Sequence, residues 1–520
     1  MLFNDPFFLF CFLPAVGCIY AVVGRLGGAR TVLSFLVFTS AVFYGWWNPI
    51  YLPLLGGLAV FNYGLARRIM TERERQRAPW VRSLLTIGIA GDLSVLAYFK
   101  YTDFFIDTAN SVIAEPIPLQ HIVLPLGISF FTFQKIAYLV DASRGEVEDH
   151  DFLEYCFFVM FFPQLIAGPI VHHREIFSQI HRPHAFYRHL GHLSIGLTIL
   201  MIGLFKKVVI ADRLAPVVSE VFSAAAVGQP LDVLFAWRGA VAYSLQLYFD
   251  FSGYSDMAIG AARLFGIRLP VNFNSPYQST CIIEFWQRWH MTLSRFLRDY
   301  LYIPLGGNRK GKRRRYVNLM LTMTIGGLWH GAAWTFVLWG FLHGIYLVTN
   351  HIWRLVWVPI DRWWSRAVAR LVTLVAVVIA FVVFRAPDLP TAMRMYYGMV
   401  GLPQSIAFEP SFTSMQRLAA NLGSVADPSE FARTVLWAVL GLAVLWLTPN
   451  TQQLMALFGP AFGYGRPNLE RQPPLLARIG ALQPLLCWRP TVVGAAIIGI
   501  LAGLACLTLQ RVSEFIYFSF

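Results

Sequence analysis

Histidines and carboxylates stand in four otherwise apolar stretches, and each is a place where chemistry could sit. The first is Leu328-Trp329-His330-Gly331, with Gly326 and Gly327 before it and apolar runs at 316–328 and 332–342. Dense glycine weakens a helix and admits close approach of backbone or ligand. A helix broken at an imidazole suits a reaction centre at membrane depth, because histidine moves protons near neutral pH. A packed histidine bonded to a backbone carbonyl fits the same residues. The second stretch runs from Ile282 to Leu305. Phe285, Trp286, Trp289, Leu293, Phe296, Leu297 and Tyr300 recur at helical spacing, which predicts an amphipathic helix. Glu284/Arg288 and Arg295/Asp299 are i,i+4 pairs able to steady its polar side. His290 falls on the apolar side, as either a stacked core residue or a reactive one.

In the third stretch, Asp250 and Asp256 are the sole acids between residues 239 and 262. With Ser252, Tyr254 and Ser255 they form a hydrogen-bonding junction for a hydroxyl substrate or for the histidines, or equally a set of helix-end caps. The order Asp, Ser, His does not make a hydrolase triad, since no G-x-S-x-G elbow is present. The fourth stretch holds His172, His173, His181, His184, His189 and His192, half of the 12 histidines. It lacks H-E-x-x-H and carries several arginines, so it reads as a surface loop rather than a metal site. Residues 162–169, just before it, read as a kinked re-entrant element.

These polar groups are conspicuous because the rest of the chain is apolar. Its 520 residues are 57% hydrophobic and 13% charged, against roughly 25% charged in soluble domains. Mean hydropathy is +0.55. A soluble enzyme, a disordered chain and a disulfide scaffold are excluded; the six cysteines are scattered with no metal spacing. A polytopic, all-α membrane protein remains. A span needs about 20 apolar residues. The runs, among them 7–23, 31–48, 51–66, 81–99, 233–249, 254–271 and 367–384, predict 10–13 crossings with the rest re-entrant. The N-terminal run has an acid where a signal peptide would carry a base, so it reads as a retained span.

Orientation follows from arginine. Connections 25–30 and 67–82 are basic, whereas 48–50 holds no base and 100–120 is mostly acidic. By the positive-inside pattern the N-terminus is periplasmic, and 67–82, 309–315, 354–370 and 466–489 are cytoplasmic. The net charge of +14 is thus largely topology, not a nucleic-acid footprint. The basic run 309–315 is a topology anchor or, beyond that, an attraction for an anionic donor or lipid. No internal repeat or soluble domain interrupts residues 1–520, which read as one membrane domain.

Tyr248–Ile259 (YFDFSGYSDMAI), Glu284–His290 (EFWQRWH), Phe296–Asn308 (FLRDYLYIPLGGN) and Gly326–Gly331 (GGLWHG) resemble the membrane-bound O-acyltransferases, in particular the bacterial branch that acetylates alginate. Phe161–Pro169, Phe43–Trp47 and Leu124–Phe131 fit that branch too. The resemblance runs to about residue 400, and 401–520 is less recognisable. It implies a ring of helices around a thin core, with funnels from both faces meeting near the catalytic histidine. It implies acyl transfer across the bacterial inner membrane, with His330 catalytic and His290 a second functional histidine.

The donor implied is cytoplasmic acetyl-CoA, docking near 288–315, with no bound cofactor and no metal. The substrate-contacting residues expected are Asp250, Ser252, Tyr254, Ser255, Asp256, Trp286, Arg288, Trp329 and Asn308. A periplasmic SGNH-type acetyltransferase is the expected partner. An exopolysaccharide is the final acceptor, alginate first and cellulose second. Two other readings stay open: D-alanylation of teichoic acid, and an acyl or polysaccharide transporter without catalysis, which would need paired broken helices in related halves.

Overall fold

In lipid every backbone polar group must be satisfied within the segment, so apolar runs become helices. The computed structural model describes residues 1–148, 150–182, 190–356, 362–402, 436, 439, 441, 443–465 and 487–509, and among these no strand occurs. A π-turn at Phe8–Phe12 leads into α1 (Leu13–Leu26), followed by α2 (Ala29–Gly45), α3 (Leu52–Glu74) and α4 (Ala78–Asn110). Proline in the first turn starts α1, α3 and α4, where its missing N–H costs nothing. Next come α5 (Ile128–Arg144), α6 (Phe152–Met160), the single turn α7 (Phe162–Leu165) and α8 (His173–Ile180). Then α9 (Leu190–Phe205) passes through a π-turn at Lys206–Ala211 into α10 (Asp212–Ala226), and α11 (Val233–Leu264) follows. The remainder is α12 (Ile282–Arg288), α13 (Met291–Phe296) with a π-turn at Leu297–Tyr302, α14 (Gly311–His330), α15 (Trp334–Val356), α16 (Trp363–Arg385), α17 (Leu389–Val400), α18 (Thr451–Leu454) and α19 (Val492–Thr508).

The chain is a multi-pass membrane protein. Among the described residues, five helical stretches are long and apolar enough to cross: Phe8–Leu26, Pro49–Glu74, Ala78–Asn110, Leu190–Ala226 and Trp363–Arg385, with two shorter apolar helices, Ala29–Gly45 and Val492–Thr508. The run 433–448 lies partly outside the described residues, and the other runs counted toward 10–13 crossings fall on short, kinked or more polar helices. Two of them, 233–249 and 254–271, are largely one helix: α11 runs unbroken past Asp250 and Asp256 and is buried along most of its length. The two acids therefore cap no helix end.

What holds α11 is a close crossing with α9. A Cβ on Gly203 would lie 2.6 Å from the Gly253 carbonyl oxygen, and one on Gly260 would lie 2.6 Å from Leu200 N. Small residues bring the two backbones together, the usual route to helix association where lipid competes for apolar contact. Just beyond, the π-turn presents two lysines to the acids of α11. Lys207 Nζ is 2.6 Å from Asp250 and 2.8 Å from Asp212, and Lys206 Nζ is 2.8 Å from Asp256. Asp256 also accepts from Thr451 Oγ1 (2.6 Å) and Gln452 Nε2 (2.8 Å) at the start of α18.

The arginine-bearing ends gather on one face. Arg30 pairs with Asp151 (3.2 Å), and the Arg73 guanidinium packs against Gly145. Arg144 reaches the Asp299 carbonyl (3.4 Å), and Arg315 lies 2.7 Å from His351 Nδ1. The ends poor in arginine, at 1–5, 46–51 and 111–127, lie away from these contacts. Tyr51 Oη donates to the Val123 carbonyl (2.9 Å), joining two of them.

The α9–α11 crossing supplies a stability test. Gly203→Leu drives a side chain into backbone that cannot yield, and we expect a loss of about 3 kcal/mol or more. Thermal unfolding in detergent checks it, with Gly24→Leu, which meets nothing within 4 Å, left near wild type.

Candidate active site

His330 is the last residue of α14 and is 4% exposed. The helix ends at this imidazole, as the glycine-flanked histidine suggested: α14 runs unbroken through Gly326 and Gly327 and is closed by Gly331. Gly327 instead permits contact with α15: a Cβ there would lie 2.3 Å from the Phe336 carbonyl oxygen, and one on Gly340 would lie 2.3 Å from that of Met323.

A helix end inside a membrane protein needs partners for its last carbonyls. Two neighbours on α4 supply them. Lys100 Nζ donates to the carbonyls of Trp329 (2.7 Å) and His330 (3.0 Å), and Tyr101 Oη donates to that of Leu328 (2.8 Å). A cation at a helix C-terminus also complements its dipole. The His330 ring is enclosed by Trp329, Trp339 and Phe384, with centroids 5.0, 5.0 and 5.4 Å away.

A cavity of ≈ 540 Å³ reaches His330, Trp329 and Lys100. Its walls are Met1, Leu2, Asp5, Trp46, Trp47, the segment Leu124–Phe130 that leads into α5, Ile166 and Ala167. Met1, Leu2, Asp5, Trp46, Trp47 and 124–127 belong to the arginine-poor ends, so the cavity opens on the face opposite the arginines.

His290 lies behind His330, 6.4 Å away between ring centroids. The predicted helix from Ile282 to Leu305 is broken there. Trp289 is extended, and His290, fully buried, has φ of 42° as the residue preceding α13. A buried non-glycine residue in the left-handed region is strained and persists only where its surroundings hold it. Asn272 does the holding: its backbone carbonyl accepts from Met291 N (2.9 Å) and its side-chain oxygen faces His290 Nδ1 (3.0 Å).

The orientation of that amide follows from its other partners. Thr292 Oγ1 already accepts from Ile170 N (3.0 Å), so its proton goes to Asn272 Oδ1 (2.9 Å), while Asn272 Nδ2 donates to Ser255 Oγ (3.2 Å). An acceptor oxygen at His290 fixes the tautomer. Nδ1 carries the proton, and Nε2 presents a lone pair with no hydrogen-bond partner among the described residues.

The other expected residues divide. Trp329 lines the cavity, and Ser255 reaches the His290 network through Asn272. Asp250, Ser252, Tyr254 and Asp256 are buried within α11, where the acids pair with lysines and Tyr254 stacks on Phe3 (4.8 Å). Trp286 Nε1 donates to His343 Nδ1 (3.3 Å), and Arg288 pairs with Glu284 (2.8 Å) as its spacing predicted. Arg295 does not pair with Asp299; it takes Glu175 (2.6 Å), and Arg298 takes Asp299 (2.7 Å). Asn308 lies in an exposed turn before α14.

Of the histidine-rich stretch, His184 and His189 lie outside the described residues. The surface-loop reading fails for the start of it: His173 is 3% exposed, and α8 packs into the core. Lys100, Asn272 and His343 were missed. Lys100 looked like a lone base in an acidic connection, and nothing in the spacing links Asn272 to a histidine 18 residues on.

The sequence profile described as MBOAT, membrane-bound O-acyltransferase family, matches residues 82–385. The chain belongs to that family. As a membrane-bound O-acyltransferase it is an enzyme, and the transporter reading falls. It is 43% identical over 429 residues to a peptidoglycan O-acetyltransferase of Helicobacter pylori, covering 77% of this chain and 80% of the relative. It is 37% identical over 529 residues to an alginate O-acetylase, AlgI, of Pseudomonas putida, covering both chains in full. The likeness therefore continues past residue 400. A teichoic acid D-alanyltransferase of Streptococcus thermophilus is 29% identical over 281 residues, 50% of this chain and 68% of the relative.

Lys100→Met removes the donor to two inward-facing carbonyls. We expect a loss of about 1–3 kcal/mol and faster hydrogen exchange across 326–331, read by mass spectrometry, with the exposed Lys310→Met unchanged.

Proposed function

We propose that this acyltransferase moves acetyl groups from acetyl-CoA on the arginine-rich, cytoplasmic face of the bacterial inner membrane to an acceptor in the cavity on the periplasmic face. The observation that carries the reading is the buried His330–His290 pair beneath that cavity. With ring centroids 6.4 Å apart the histidines do not bond each other directly, and of the two His330 lines the cavity.

His330, at the cavity floor, serves as general base toward the acceptor hydroxyl, or relays the acetyl covalently. The acceptor O–H gives up its proton, a new ester bond forms, and the thioester C–S bond breaks to release the CoA thiol. His290 in the tautomer set by Asn272 has a bare Nε2, which favours proton acceptance over donation to an oxyanion. Lys100 holds the helix end that carries His330. Arg288, Trp286 and Asn308, toward the arginine-rich face, are the groups we assign to the donor side.

The final acceptor we propose is an exopolysaccharide, alginate first, reached through a periplasmic SGNH-type acetyltransferase. The full-length likeness to an alginate O-acetylase supports this, and the lower identity to a D-alanyltransferase over half the chain weighs against D-alanylation. The 43% identity to a peptidoglycan O-acetyltransferase makes peptidoglycan the second acceptor to test.

The test is release of CoA thiol by purified protein, together with mass spectrometry of alginate and muropeptides from a deletion strain. His330→Ala should lower turnover about 10²–10⁴-fold. Asn272→Leu, which keeps the backbone carbonyl that holds Met291 N but removes the acceptor at His290 Nδ1, should lower it by about 10–100-fold, less than loss of a catalytic imidazole. Full acetylation by correctly inserted His330→Ala would end this reading.

A further inference from the structure

Asp141, near the end of α5, draws together side chains that the acyl-transfer centre does not use. Its Oδ2 lies 2.8 Å from His172 Nε2, 3.3 Å from His173 Nδ1 and 2.7 Å from Tyr300 Oη. His172 Nε2 is also 2.8 Å from Tyr300 Oη. Asp141 is 1% exposed and His173 3%.

The two ring nitrogens of His173 face different groups. Its Nε2 sits 3.1 Å from the Glu146 carbonyl oxygen, which can only accept, so Nε2 carries a proton. In the neutral ring Nδ1 then holds a lone pair, aimed at a carboxylate oxygen, and has no hydrogen-bond partner among the described residues. Two lone pairs 3.3 Å apart in a buried site repel unless a proton or a metal ion lies between them. No arginine or lysine supplies the positive charge: among the described residues the guanidinium nearest this carboxylate, Arg144, is 3.7 Å from the other oxygen, Oδ1. A histidine whose second nitrogen donates to a backbone carbonyl is the common arrangement of a metal ligand. Two imidazoles and a carboxylate are a donor set for zinc and its neighbours. The three donor atoms lie within 4.8 Å of one another, so with small adjustments one ion at about 2.0–2.2 Å from each can join them.

We propose that Asp141, His172 and His173 bind one zinc-class divalent ion, with the Tyr300 hydroxyl or a water in the fourth position. The ion ties α5 to α8 and, where Tyr300 is the fourth ligand, to the π-turn after α13, the helix that follows His290, and so braces the arginine-rich face. This site stands apart from the proposed reaction and survives or fails without it.

The test uses the full-length protein, purified in detergent through a tag without histidine, after dialysis against zinc. Elemental analysis should find one zinc per chain, and cobalt substitution should give the visible bands of a four-coordinate site. Asp141→Asn and His173→Ala should each lose the ion, while His181→Ala, in the neighbouring His150–Glu154–His181 group, should keep it. Wild-type protein that holds no zinc and shows no cobalt bands would leave an imidazolium–carboxylate pair and overturn the proposal. Zinc retained in Asp141→Asn but lost in His181→Ala would overturn it as well.

Discussion

A helix that stops inside a membrane protein exposes carbonyls where no water can satisfy them, and the site depends on how α14 meets that constraint. Lys100 and Tyr101 on α4 donate to the last three carbonyls, so the helix can end at His330 with its imidazole beside the cavity. Without those donors, the cost of the orphaned groups would favour continuing the helix or flooding its end. The close approach at Gly327 and Gly340 then fixes where the next helix returns. One half-buried lysine and two glycines thus set the depth and direction of the proposed catalytic residue.

The second histidine is held by a different device. His290 is pinned in an unfavourable backbone region by Asn272, which bonds both to the ring and to the backbone beyond it. Strain of this kind is stable only in a rigid frame. The frame is α11, buried along most of its length, locked to α9 by small residues and to the π-turn by two lysine–aspartate pairs. Asp250 and Asp256 therefore act on the site through the frame rather than by facing the cavity.

Much of this was legible in the sequence. Low charge density made His330, His290, Asp250 and Asp256 stand out, and the motifs around them pointed to the family that the comparisons show. The helical class and the break next to His330 followed from apolar runs and glycine. Other features depend on partners far apart in the chain. Periodicity alone could not show that the amphipathic pattern from 282 to 305 is interrupted at His290, because the strain is stabilised from Asn272. Nor could it show that Arg295 prefers Glu175, 120 residues away, to an acid one turn along. The histidines at 172 and 173 looked like loop residues because their partners, Asp141 and Tyr300, come from two other elements.

The proposed transfer requires the cavity over His330 and the arginine-rich ends to lie on opposite sides of the membrane. Single cysteines at Leu126, on the cavity wall, and at Arg309, in the exposed turn before α14, test it in intact cells with a membrane-impermeant maleimide. The expected result is labelling at residue 126 from outside and at residue 309 only after lysis, both above the wild-type background. Labelling of both from the same side would contradict it.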